Sequence, residues 1–119
     1  MNFIFDNDRP IYIQLVEQIK IYIISGKIEL GSRLLSVRDL ALQLQVNPNT
    51  VQKALTELEE SKLIYTERTN GKFVTNDKKL VEKVKKELAK EMIDNYLNDM
   101  SNLGFSKKEA VDCLKERKI

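Results

Sequence analysis

Histidine is absent from this sequence. An imidazole general base, a His-relayed nucleophile and an imidazole metal site are therefore excluded. Cysteine occurs once, at Cys113, so no intrachain disulfide can form, which fits a reducing compartment. Its place between Val111 and Leu114 in an apolar-periodic stretch reads as a small buried residue rather than a reactive thiol. No apolar run approaches the ~18 residues of a membrane span. The opening MNFIFDNDRP lacks the basic-then-hydrophobic pattern of a targeting segment. The expectation is a soluble, cytoplasmic protein with no membrane partner. There is also no glycine-rich phosphate loop and no clustered set of metal ligands, so no enzyme activity, cofactor or metal is expected. An excess of one charge is missing too. With 20 basic and 18 acidic side chains the formal charge is +2, and a nucleic-acid binder of this composition has to concentrate its cations locally.

What is present is a run of well-punctuated helices. Pro10 suits a first helical turn, and Ile11, Leu15, Ile19 and Tyr22/Ile23 recur at helical spacing up to Gly26. Lys27 to Leu35 reads as a connector. Ser36 is an N-cap with an acid, Asp39, three residues on, close to a capping box, and Val37, Leu40, Ala41 and Leu44 give this short helix one apolar face. The next helix starts at Asn47 as N-cap with Pro48 in first position. Val51, Ala54, Leu55 and Leu58 form its buried stripe, and Ser61-Lys62 marks its end.

Two β-prone runs follow, Leu63–Thr66 and Lys72–Thr75, around the polar turn Glu67-Arg68-Thr69-Asn70-Gly71, whose Asn-Gly is a strong hairpin signal. Composition shifts at Asn76-Asp77. From Lys78 to about Met100, charge alternates with Leu80/Val81, Val84, Leu88, Met92 and Tyr96, the pattern of a long amphipathic helix. Gly104 interrupts it, and Ser106 with Glu109 caps a last helix carrying Ala110, Val111 and Leu114.

The order helix, helix, turn, helix, hairpin predicts a winged helix-turn-helix over 1–76. A two-helix dimerisation or effector domain is expected over 77–119. The fold class is thus mainly α with a small β-hairpin. A helix-turn-helix needs a brief connection so that one helix braces the second in the DNA major groove. The amino end of the second helix, with free N–H groups and a favourable dipole, should face the DNA. Asn47, Asn49, Thr50, Gln52 and Lys53 lie there, with amide and hydroxyl groups suited to base edges or phosphates. Taken alone, Asn47-Pro48 is ordinary capping chemistry. The second polar layer behind the cap, the helix before and the hairpin after favour DNA.

Arg38, beside the N-cap Ser36, sits in a first helical turn, where a cation opposes the helix dipole. It reads either as a ligand for an external anion or guanine edge, or as one half of a surface ion pair with Asp39 or Glu29. Arg68, Thr69, Asn70, Gly71 and Lys72 at the hairpin are placed to reach a minor groove or flanking phosphates. The stripe Leu80, Val84, Leu88, Met92 and Tyr96, with Val111 and Leu114, either folds back as core or pairs with a second copy. A homodimer is the expectation, because two readers about one DNA turn apart, ~34 Å, match a palindrome. The competing reading is a winged-helix module for protein–protein contact without an operator.

Several stretches together resemble the GntR family of bacterial transcriptional regulators, and within it the short YtrA-like subfamily. They are Pro10 to Leu15 (PIYIQL), Gly26 through Gly31, Leu35 to Ala41 (LSVRDLA), Val46 to Val51 (VNPNTV), Leu58-Glu59, Gly71 to Val74 (GKFV) and Leu103 to Ala110 (LGFSKKEA). The resemblance covers nearly the whole chain. It implies a repressor that binds double-stranded DNA as a homodimer through its two C-terminal helices, with contacts from Arg38, from Asn47, Asn49 and Thr50, and from the wing tip. It also suggests transporter or envelope-stress genes as targets. Four departures stand out. Leu35 replaces the family's proline before the capping serine, and Lys53 replaces the recognition-helix arginine and loses its bidentate fork. Thr69 replaces the first wing glycine, and Gln45 stands where a turn glycine is common, costing on the order of 1 kcal/mol if that site is left-handed. A small-molecule effector would have little room for an enclosed pocket in two helices, leaving a groove between helices or the dimer interface.

Overall fold

The computed structural model describes residues 1 and 3–117, so the last two residues of the second expected domain lie outside the described residues. Two compact units divide the chain, Met1–Glu82 and a second beginning at Lys83. The first holds α1 (Ile11–Ile24), α2 (Val37–Leu44), α3 (Pro48–Glu60), β1 (Ile64–Glu67), β2 (Gly71–Val74) and the start of α4 (Lys78–Asn102). The second holds the rest of α4 and α5 (Lys107–Glu116). The first unit therefore runs past the composition shift at Asn76-Asp77 and takes in buried Val81.

Helical spacing explains the core of the first unit. Leu15, Ile19 and Ile23 line one face of α1, and Val51, Ala54, Leu55 and Leu58 one face of α3. All are buried, and α1 packs on α3 as α2 does. Full burial of one such Leu, Ile or Val stabilises by about 1.5–3 kcal/mol. Leu34, Leu40, Leu63, Ile64 and Val74 close the core from the other elements. Ile11, Tyr22, Val37 and Leu44, at the edges of the expected stripes, are half-buried.

A polar hub also lies in this core. Gln14 is buried, and its Nε2 donates to the carbonyls of Asp6 (3.0 Å) and Arg9 (2.8 Å) while its Oε1 accepts from the Asp6 N–H (2.9 Å). One amide thus straps the residues before α1 onto the helix and leaves no part of itself unpaired, as burial demands.

Ser36 caps α2 by accepting from the Asp39 N–H at 3.1 Å. No reciprocal bond from Asp39 appears, and its side chain is one methylene shorter than the glutamate of a full capping box. α2 ends with Gln45 at φ 55°, ψ 46°, and the Val46 N–H reaches back to the Ala41 carbonyl. The same closure recurs at the end of α3, with Lys62 at φ 68° and Leu63 N–H bonded to the Leu58 carbonyl. Both are Schellman endings built without glycine. Replacing Gln45 by glycine is expected to stabilise the fold by up to about 1 kcal/mol, raising the melting temperature by a few degrees. A lower melting temperature would show that the Gln45 side chain contributes more than its backbone costs.

The wing is an antiparallel pair in the register Ile64↔Val74 to Glu67↔Gly71. Its loop is three residues, Arg68 to Asn70, with Asn70 N–H bonded to the Glu67 carbonyl and Gly71 at φ +97°. The connector predicted to be irregular supplies a third extended stretch. Arg33 bridges Phe73, Leu34 N–H donates to the Lys72 carbonyl and Val74 N–H to the Ser32 carbonyl. An open β2 edge explains the difference, since its unpaired groups recruit whatever backbone lies alongside.

In the second unit, Gly104 at φ +97° ends α4, and Ser106 with Glu109 forms a complete capping box on α5. The N–H of Ser106 donates to the Glu109 carboxylate, which together with the Ser106 side-chain bond holds that carboxyl below its ordinary range. Tyr96 Oη donates to the Ala110 carbonyl at 2.7 Å, joining the two helices across buried Ala110.

Candidate nucleic-acid interface

The turn between α2 and α3 is Gln45-Val46-Asn47, short because the left-handed Gln45 reverses the chain at once. It delivers Asn47 and Asn49 to the surface, with Gln52 and Lys53 exposed one turn on and Thr50 half-buried between them. Asn47 Oδ1 accepts from the Asn49 N–H at 2.8 Å, and the Asn47 carbonyl accepts from Thr50 and Val51. Pro48 has no N–H to offer.

This corrects one expectation. The first-turn amides of α3 are already satisfied, so attraction for an anion there comes from the dipole and the side chains, not from free N–H groups. The free donors lie one helix earlier. Among the described residues, the N–H groups of Val37 and Arg38 at the start of α2 have no hydrogen-bond partner.

Arg38 is exposed on that same turn, next to the exposed Ser36. Among the described residues it forms no ion pair with Asp39, Glu29 or any other acid. Its guanidinium is thus a free cation placed against the local dipole. Arg68, Thr69 and Asn70 are exposed at the wing tip, where Asn70 Nδ2 also donates to Glu67 Oε2 at 3.1 Å.

Two of the expected cations are otherwise engaged. Lys72 is half-buried, paired with Glu59 of α3 and bonded to Thr66 Oγ1 at 3.0 Å. Its ammonium is turned onto the body of the domain, away from the tip that its neighbour Gly71 begins. Lys53 Nζ lies 3.8 Å from the centre of the Tyr12 ring, a cation–π contact that restrains the side chain without neutralising it. Gln52 Nε2 donates to Thr56 Oγ1 at 3.2 Å. No spacing in the sequence announces the Tyr12 or Glu59 contacts, which depend on how α1 and the wing meet α3.

The residues expected at a dimer seam fall into three groups. Leu80 lies against its own unit, in an open groove of about 580 Å³ lined also by Ile64, Tyr65 and Thr75. Val84, Leu88 and Tyr96 are half-buried. Met92 (54% exposed), Val111 and Leu114 (59%) face outward, as do Ile93 and Leu103. Among the described residues no helix is long and apolar enough to cross a membrane, and no group of acidic or cysteine side chains is placed to hold a metal.

Known proteins show the same arrangement. Residues 11–74 match the family model described as bacterial regulatory proteins, gntR family, which is more than half of the chain. The chain belongs to the GntR family. It is 32% identical over 111 residues to the uncharacterized HTH-type transcriptional regulator YhcF of Bacillus subtilis, covering 93% of this chain and 92% of YhcF. It is 34% identical over 108 residues to the HTH-type transcriptional repressor YtrA of the same organism, covering 90% and 83% of the two chains. A GntR family transcriptional regulator from Listeria monocytogenes superposes with a TM-score of 0.89 at 43% identity, over 96% of this chain and all of that one. A solved DNA-binding domain of AraR in complex with operator ORX1 superposes at a TM-score of 0.55 and 28% identity, over 60% of this chain and 93% of that domain. This GntR chain is accordingly a DNA-binding transcriptional regulator with an N-terminal winged helix-turn-helix and C-terminal helices. The family and these relatives are regulators, not enzymes.

Proposed function

We propose that this GntR regulator is a cytoplasmic repressor that binds a palindromic operator as a homodimer. The amino end of α3 enters the major groove, and the wing tip reaches toward the neighbouring minor groove. The observation that carries the reading is the polar end of α3, exposed Asn47, Asn49 and Gln52 with half-buried Thr50, standing beside a cation, Arg38, that no acid among the described residues engages. Amide groups of this kind read adenine and an arginine fork reads guanine. The free N–H groups of Val37 and Arg38 fit a phosphate next to the base that Arg38 addresses. Arg68, Thr69, Asn70 and Gly71 form the wing contact, whereas Lys72 serves the protein's own framework. Lys53, backed by Tyr12, faces a phosphate.

Pairing through the second unit is supported by its surface. Met92, Ile93, Leu103 and Leu114 are each more than half exposed, and apolar groups grouped on so small a unit favour a partner over water. The repressor named YtrA, alike over most of its length, supports repression as the sense of regulation. A transporter operon is the class of target we infer. The chemistry of any small-molecule effector is left to the groove beside Leu80 or to the dimer seam.

In vitro selection of bound duplexes from a random pool tests this reading. The expected result is an inverted repeat with half-site centres about one helical turn apart, ~34 Å, or a multiple of it. Recovery of single, unrepeated sites would overturn the dimeric reading.

A further inference from the structure

Arg33 lies in the connector, outside every segment to which the sequence assigned a DNA contact. In the fold it becomes part of the wing. Its backbone bridges Phe73 of β2 in antiparallel fashion, and the bonds on either side, Leu34 N–H to the Lys72 carbonyl (2.8 Å) and Val74 N–H to the Ser32 carbonyl (2.9 Å), fix its position. Side chains alternate along extended backbone. Leu34 is buried, so Arg33 leaves from the opposite, outer face, where its bridge partner Phe73 stacks on Tyr65 at 5.7 Å between ring centres.

Gly71 stands two residues before Phe73 and therefore shares that face. A Cβ built on Gly71 would meet Arg33 Nε at 3.3 Å and Nη2 at 3.5 Å. The guanidinium thus runs from the bridge toward the wing tip, over the one position that lacks a side chain. It is exposed, and among the described residues it has no acidic partner. The neighbouring lysine on this sheet, Lys72, is neutralised by Glu59. A cation left unpaired at the base of an exposed hairpin, with its long side chain laid along a sheet, is available to an anion outside the molecule.

We infer that Arg33 is a further DNA contact of the wing, its guanidinium binding a backbone phosphate that flanks the groove addressed by the tip. This rests on the operator-binding reading above. A phosphate contact carries no sequence information. It strengthens binding to every duplex and adds one counterion to those released on association.

The test is fluorescence anisotropy of the full chain on its selected operator and on a scrambled duplex, across a range of potassium chloride concentrations. Arg33→Gln removes the charge while keeping a shorter, polar side chain, and Arg33→Lys keeps the charge and most of the length without the fork. Arg33→Gln is expected to weaken both duplexes alike, on the order of tenfold at low salt, and to reduce the slope of log affinity against log salt by about one. Arg33→Lys should recover most of that slope. Melting temperatures equal to the parent's identify the loss as one of contact and not of folding. Parent-like affinity and slope in Arg33→Gln overturn the inference while leaving operator binding intact. A loss confined to the operator overturns the phosphate assignment in favour of a base contact. A parent protein indifferent to every duplex would instead remove the operator-binding reading, and Arg33's role with it.

Discussion

Replacing Arg38 by alanine is expected to weaken operator binding by about 1–3 kcal/mol, roughly 5- to 150-fold in affinity. The argument is local. Arg38 occupies the first turn of α2, where a cation opposes the helix dipole, and among the described residues neither Asp39 of the same turn nor any other acid forms an ion pair with it. In the free protein this side chain contributes nothing evident to stability, so its removal should leave the melting temperature nearly unchanged. On DNA it has two things to offer, a planar fork for the O6/N7 edge of guanine and a charge beside two free backbone donors. The loss should be concentrated in sequence discrimination, with tolerance for substitution rising at one position of each half-site. Arg38→Lys should retain affinity for non-specific DNA and lose that discrimination, because an ammonium cannot form the paired bonds. Unchanged preference at every position of the site in Arg38→Ala would exclude Arg38 from base reading.

The second large effect concerns assembly. The double variant Met92→Glu and Leu114→Glu introduces two carboxylates at positions already more than half exposed in the single chain. The folded protomer should tolerate them, since neither is taken out of water. At a seam between two copies the same carboxylates would be desolvated next to their own symmetry mates, which costs several kcal/mol. The expected result is a monomer by light scattering. Its affinity for the two-site palindrome should fall on the order of 100-fold or more, because the second reader is no longer delivered at a high effective concentration. Affinity for an isolated half-site should be unaffected. A variant that remains dimeric would place the seam elsewhere.

Much of this architecture is written locally. Ser36, Asn47-Pro48, Gly104 and Ser106 each carry the chemistry of a helix boundary in one or two residues, and the stripes from Leu15 and Val51 follow from spacing alone. The polar end of α3 was legible for the same reason, as was Arg38, whose misfit with the helix dipole is a sequence property. Features that depend on segments meeting in space were not legible. Lys62 takes left-handed backbone without being glycine or asparagine, because helix closure forces it, whereas the resemblance marks Gln45 as a left-handed candidate and the structure places it there. Residues 32–34 look irregular until an open strand edge lies beside them. Lys72 and Lys53 look equivalent to Arg68 in sequence, yet a glutamate holds one and a tyrosine ring restrains the other. The saturation of the first-turn amides in α3, by contrast, is what the N-cap reading of Asn47 implies once its side chain and carbonyl both bond to its own helix.

That saturation has a thermodynamic consequence. With φ fixed at Pro48 and the following amides bonded within the chain, the amino end of α3 that we propose meets the bases is assembled before any duplex arrives. Complex formation then draws no free energy into organising this end, and the heat-capacity change on association should reflect surface removed from water rather than coupled folding. On the proposed reading, encounter with an operator is then limited by diffusion and orientation and not by a folding step.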